Sequence, residues 1–382
     1  MKNKLTLLLL IWPLHVAAAT LNGWIGTYTS SNGTSTGSQG IYAFQWDTQH
    51  GVISALHPAA TTTNPSFLAL HPSGRFLYAV NEDESSSGTD HITAFATGDA
   101  NASSGLRAIG IVSAQGLAPC HLSVDPSGHW LFVANYVSGT IAVYPIRPDG
   151  QLAQASQVIQ QKGSGPFTDR QKSAHAHEVM LSPDGRFLLS VDLGADRIFV
   201  YRFDAKTGAL TPNSEPQVAL PAGYGPRHLV FSKDGRTIYV VTELTPAVVA
   251  LRWNAQRGSM TQLGITSTLP AADPAEHAAA EIVLHPNGRF LYASNRGNSN
   301  TIAIFKVGPE GLLTPAGHVS SSGTLPRFFS IDPSGQFLLA ANQGSGTLIT
   351  FAIDPASGAL TRVGPSVSVP APVSVVFAAV RP

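Results

Sequence analysis

Short apolar runs alternate with glycine-centred turns along this chain, and the alternation repeats. One copy reads G-P-R-H-L-V-F-S-K-D-G-R-T-I-Y-V-V-T-E, from Gly225 to Glu243. Its apolar runs Leu229–Phe231 and Ile238–Val241 flank the turn Lys233-Asp234-Gly235, which predicts a β-hairpin. Five more copies share the frame: Phe67–Glu82, His121–Tyr136, Glu178–Leu193, Glu281–Arg296 and Phe328–Gln343. The turn glycines Gly74, Gly128, Gly185, Gly235, Gly288 and Gly335 recur about every 50 residues.

A third apolar run follows the hairpin, as at Thr140–Pro145, Arg197–Phe203, Thr301–Val307 and Thr347–Ile353. A Gly-x-Leu turn comes next, at Gly150, Gly208, Gly311 and Gly358. Each unit is therefore about four short antiparallel strands, the size of a propeller blade, and no helical period competes. Residues 22–46 match the later part of a unit and lack its first strand; Ala371–Phe377 matches a first strand alone. Joined, they complete a seventh blade and close the ring without free edges. The expected fold is all-β: one domain, residues 20–382, a seven-bladed β-propeller of four-stranded antiparallel blades. A solenoid is the alternative, but it needs polar caps, and neither end resembles one.

Composition narrows the classes. With 382 residues, 43% hydrophobic, a large core forms without staples. Lys plus Arg and Asp plus Glu balance at 23 each, which argues against nucleic acid as a partner. The single cysteine, Cys120, has no partner for an internal disulfide. Residues 1–19 depart from the repeat. Lys2 and Lys4, the apolar Leu5–Trp12 and the small residues Ala17–Ala19 predict a cleaved secretory signal. The apolar run is well short of the roughly 20 residues that span a bilayer, which weighs against a membrane anchor. The chain is expected to be exported, periplasmic or secreted, with no membrane span after cleavage.

The residues eight before and eight after each turn glycine vary without an apolar pattern. Before it stand Ser66, Cys120, His177, Arg227, Ala280 and Arg327; after it stand Glu82, Tyr136, Leu193, Glu243, Arg296 and Gln343. A hairpin brings the two sets together at its open end. In a propeller that end surrounds the mouth of the central channel, so charged residues distant in sequence converge there. Packing alone does not call for charge at such a place, and convergent polar groups in a concavity define a candidate site. Glu243 beside Arg227 is either a general base that activates water or a rim salt bridge. Arg227, Arg296 and Arg327 suit a planar anion or a developing oxyanion. His177 offers an acid, a base or a donor. Arg327, Glu82, His121, Tyr136 and Gln343 are the candidate substrate-binding residues around them. His175 and His177 have metal-ligand spacing but no further matched ligands, so no metal is expected. Cys120-His121 is not read as a nucleophile pair, since strand neighbours point to opposite faces. The residues after the turn glycines (Arg75, His129, Arg186, Arg236, Arg289 and Gln336) and, with Thr242 the exception, the Asn or Asp seven after those glycines (Asn81, Asn135, Asp192, Asn295, Asn342) are read as frame, the latter as turn caps.

These residues resemble the seven-bladed lactonase family, of the propeller-type 6-phosphogluconolactonase and carboxymuconate-lactonizing kind. The resemblance runs over nearly all of the chain beyond residue 19. It rests on A-P-C-H-L-S-V-D-P-S-G (Ala118–Gly128), H-A-H-E-V (His175–Val179), G-P-R-H-L-V-F (Gly225–Phe231), Thr242-Glu243 and Ser294-Asn295-Arg296. It implies a catalytic constellation of one His, two Arg and one Glu at the channel mouth, falling on His177, Arg227, Glu243 and Arg296. It also implies lactone ring opening or closing without a metal or organic cofactor. In the hydrolytic direction Glu243 or His177 would activate water, while Arg227 and Arg296 would steady the carbonyl oxygen and the substrate's anionic group. The expected export would place this chain where phosphorylated sugar lactones are scarce, and the expected substrate is a sugar-acid or related lactone. A non-catalytic propeller that binds a carbohydrate, cell-wall or protein ligand, and a muconate-type cycloisomerase, are the alternatives. Turnover of a lactone panel separates all three.

Overall fold

The computed structural model describes residues 20–31, 33–83, 90–98, 105–270 and 277–378. The expected signal, residues 1–19, lies outside the described residues, as do the last four residues of the expected domain. Each hairpin folds at a glycine in the left-handed region. Gly74, Gly128, Gly185, Gly235, Gly288 and Gly335 have φ between +68° and +76°, where only glycine avoids a Cβ clash.

Each hairpin continues into two more strands, making seven four-stranded antiparallel sheets. Blade 1 is the split one. Its innermost strand, Pro372–Phe377, comes from the C-terminal end and pairs with Thr20–Thr27, which leads on to Gly40–Asp47 and Val52–Thr61. Blades 2 to 7 follow in chain order, with innermost strands Leu68–Leu70, Pro119–Val124, Ala176–Leu181, Pro226–Phe231, His277–Leu284 and Pro326–Ile331. Among the described residues no helix is long and apolar enough to cross a membrane.

Second strands such as Phe187–Asp192 and Thr237–Thr242 are buried at every position. A blade packs against a neighbour on both faces, so these strands read as continuous apolar runs. Blade 5 thus seats Tyr239 and Val241 on Leu291, Ala293 and Phe305 of blade 6. The outer turns between third and fourth strands lock the blades together. Gly150 packs on Phe76 of the preceding blade, Gly208 on Trp130, Gly258 on Phe187 and Gly358 on Phe290, with Gly51 on Phe337 closing the ring. A Cβ at any of these would collide with the ring, and all five have positive φ. The arginines after the turn glycines join this lock. Arg75, Arg186 and Arg289 lie over the rings of Phe76, Phe187 and Phe290. Arg289 also donates to the carbonyls of Pro355 and Ala356 in the next blade.

The Asn and Asp seven beyond five of the six turn glycines are buried and tie the blade to the connection entering it. Asn135 Nδ2 donates to the Ala114 carbonyl, Asn295 Nδ2 to Thr268 and Asn342 Nδ2 to Ser321. They also cap the segment that follows: Asp192 Oδ1 accepts from the Ala195 N–H, and Asn135 and Asn295 Nδ2 donate to Thr140 Oγ1 and Thr301 Oγ1.

Candidate active site

A bulge interrupts the innermost strand at the same point in most blades. The ladder skips one residue between Pro119 and His121, Ala176 and Glu178, Pro226 and His228, and Pro326 and Phe328. The skipped residues are Cys120, His177, Arg227 and Arg327, four of the rim set. An unpaired bulge residue is released from strict alternation, so its side chain is re-aimed. Their cross-strand neighbours Tyr136, Glu243 and Gln343 sit just past the end of the second strand, where pairing ceases.

At this end of the ring lies a pocket of about 310 Å³ lined by Tyr28, Glu82, Cys120, Tyr136, Arg170, His177, Glu243, Arg296 and Arg327. Beneath it the axis is plugged. His177 meets His228 edge to face at 5.2 Å between ring centres, His228 meets His121 at 5.5 Å, and Phe67 lies tilted against His121 at 4.3 Å and meets Phe328 at 5.8 Å. The pocket is therefore closed at its base. His121 lies under this floor beside Glu178, not among the lining residues. Gln343 also stays outside the lining; its backbone N–H donates to Leu325.

Glu243 is the electrostatic centre. Its Oε2 accepts from Arg227 Nε at 3.1 Å and Arg296 Nη2 at 2.8 Å, and its Oε1 from Arg170 Nη2 at 2.7 Å. Burial pushes the Glu243 carboxyl up, but Arg296, Arg227 and Arg170 more than reverse this and hold it well below the usual carboxylate range. Arg227 stands behind Glu243 rather than in the pocket lining. Its side chain is 3% exposed, and its Nη1 donates to the Ala280 carbonyl at 2.7 Å. Burial, then Arg327 and Arg296, pull it down to about 10, so it stays a cation at neutral pH.

On the opposite wall Glu82 Oε2 accepts from Tyr28 Oη at 2.8 Å and from Ser66 Oγ at 2.5 Å. Arg327 lies over the Tyr28 ring at 5.4 Å and makes no hydrogen bond to the described residues. His177 forms the deep wall between these groups. Burial, then Arg227, keep its imidazole neutral, well below the ordinary value. Cys120 Sγ lies 3.9 Å from His177 Nδ1. Burial raises that thiol, with Glu82 adding to the effect, so it is not a ready thiolate. His175 turns away and stacks on Tyr136 at 4.7 Å, its Nδ1 bonded to the Tyr136 carbonyl. Among the described residues no three His, Cys, Asp or Glu are grouped to hold a metal ion.

The repeat missed two lining residues. Arg170 comes from the 161–175 connection between blades 3 and 4, outside any repeated strand. Tyr28 had a signal. Thr27 pairs with Pro372 as Thr242 pairs with Pro226, so Tyr28 occupies in the split blade the position Glu243 holds in blade 5.

A closed-floor pocket at the mouth of a seven-bladed ring, lined by three guanidinium groups and two carboxylates around a neutral imidazole, is a candidate site for a small polar ligand. The chain belongs to the seven-bladed β-propeller lactonase family, whose model, "Lactonase, 7-bladed beta-propeller", matches residues 22–377. It is 35% identical to the 6-phosphogluconolactonase of Bacillus subtilis over 93% of this chain and 97% of that one. With the 6-phosphogluconolactonase of Formosa agariphila it shares 33% identity over 89% of this chain and 94% of the relative. Among solved structures, the periplasmic gluconolactonase PpgL of Pseudomonas aeruginosa superposes with a TM-score of 0.87 at 35% identity. That match covers 95% of this chain and all of PpgL.

Proposed function

We propose that this lactone hydrolase opens a monosaccharide-sized sugar-acid lactone outside the cytoplasm, with His177 as the base that activates water. The carrying observation is the triple guanidinium clamp on Glu243. Both oxygens of a carboxylate so held are occupied, whereas the His177 imidazole lines the pocket in its neutral form, so position rather than basicity favours His177.

Water gives a proton to His177 as its oxygen adds to the lactone carbonyl carbon. Arg296 and Arg327 hold the oxyanion that forms. The ring C–O bond then breaks, and the leaving alkoxide takes the proton back from the imidazolium, yielding a hydroxy acid. Glu243 acts as an anchor that fixes Arg227 and Arg296. Pocket size supports one ring rather than an oligosaccharide, being near the low end of ligand sites. The polar lining suits a polyhydroxylated substrate, and the excess of cations favours one bearing an acidic group. Export is supported by the residues 1–19 pattern and by the periplasmic relative.

The test is a panel of glucono-, phosphoglucono- and simple aliphatic lactones, assayed with the wild type and His177→Gln. Ring opening by the wild type and a fall in kcat of about 10²–10⁴ in the variant are expected. A wild type that opens none of them, or a variant with unchanged turnover, overturns the reading.

A further inference from the structure

Arg170 differs from the other arginines around the pocket. It belongs to the 161–175 segment, the longest of the connections that carry the chain from one blade to the next. Its side chain is 46% exposed, against 14% for Arg296 and 3% for Arg227. It makes two bonds, donating to Glu243 Oε1 at 2.7 Å and to Tyr136 Oη at 3.1 Å. Tyr136 stands on blade 3 and Glu243 on blade 5, whereas His177, on blade 4 between them, is almost completely buried. The guanidinium thus crosses the outer level of the pocket while the imidazole stands at its base.

Glu243 does not depend on Arg170. Arg227 and Arg296 already occupy its other oxygen from more enclosed positions. Arg170 is the most exposed clamp member, on a connection rather than a sheet strand. We propose that Arg170 is the specificity-determining residue for acidic lactones: it exchanges its Glu243 and Tyr136 bonds for an anionic group on the ring substituent farthest from the pocket floor. This rests on the lactonase reading above and adds which end of the substrate is recognised and by what. A lactone whose carbonyl reaches His177 and Arg296 at the floor carries its exocyclic carbon toward the mouth. A phosphate or a carboxylate on that carbon presents the planar or forked oxygens a guanidinium binds best. Exchanging one anion for another keeps Arg170 paired throughout, and Glu243 keeps two of its three cations.

The experiment compares three lactones of one ring type that differ only at the outermost carbon: hydroxyl, carboxylate or phosphate. Each is assayed with the wild type, Arg170→Met and Arg170→Lys. The wild type is expected to favour the acidic lactones in kcat/KM. Arg170→Met should cut that preference about tenfold, through KM, because one charge-assisted contact at a half-exposed site is lost. Arg170→Lys should restore part of it. Whichever acidic arm suffers more identifies phosphate or carboxylate as the fitted group. An equal loss for the neutral and acidic lactones makes Arg170 a structural bridge and overturns the proposal, as does a wild type with no acidic preference. A wild type that opens none of the three defeats the lactonase reading instead, and this proposal with it.

Discussion

Replacing Glu243 with Gln keeps the side chain's shape and removes its charge. Three guanidinium groups converge on this carboxylate, and two belong to more enclosed side chains, Arg227 at 3% exposure and Arg296 at 14%. Without the charge, both cations remain buried with amide and carbonyl acceptors only. Breaking a buried pair from one side costs about 3–5 kcal/mol, since the partner charge stays desolvated. The half-exposed Arg170 adds only about 0.2–1 kcal/mol, because solvent screens it. The expected loss is therefore about 3–5 kcal/mol in urea-induced unfolding. Lactone turnover should fall as well, because Arg296 loses its anchor. The acid limb of the pH–rate profile should stay where the wild type has it, since it reports His177. The opposite pattern refutes the reasoning: an unfolding free energy equal to the wild type's, with turnover reduced about 10²–10⁴-fold and the acid limb gone, would make Glu243 the base.

Other outcomes follow from the same geometry. His177 is held neutral by burial and Arg227, so its folded value lies below its unfolded one. Wild-type turnover should stay flat through pH 6.5 and decline only at lower pH, as the imidazole gains a proton; a midpoint at or above 6.5 would contradict this. Under the pocket Glu281, hydrogen-bonded to His228 Nδ1 at 3.0 Å, is raised by burial to about 8. A group raised in this way stabilises the fold below its unfolded value and loses that contribution as pH climbs through 8. Glu281→Gln should therefore gain up to about 4 kcal/mol relative to the wild type between pH 5 and pH 9, and parallel stability curves would refute it. Gly258→Val would force a branched side chain into the Phe187 ring at φ +67°. We expect a loss of about 2–4 kcal/mol in thermal or urea unfolding. A variant within 0.5 kcal/mol of the wild type, the range of ordinary surface changes, would dismiss the inter-blade lock.

The repeat of apolar runs and turn glycines determined the ring, because each blade hides its faces only against two neighbours. Strand order within blades, the closing of blade 1 from both ends and the frame roles of Arg289 and Asn295 were all legible from period and residue type. So was the meeting of Arg227 with Glu243, since a hairpin turned at Gly235 permits nothing else at its open end. Depth was not legible. Arg227 and Arg327 both stand eight residues before a turn glycine, yet one lies behind Glu243 and the other lines the pocket. Cys120 and His121 are adjacent in sequence, yet a bulge sends the thiol to the pocket and leaves the imidazole under its floor. Arg170 left no trace in the pattern, because a connection obeys no period. Tertiary structure decided these points, since bulges and connections answer to the packing of the whole ring rather than to alternation along one strand. The same packing changed the character of Glu243. Sequence marked it as a candidate base at the rim; in the folded chain three guanidinium groups from separate segments converge on it.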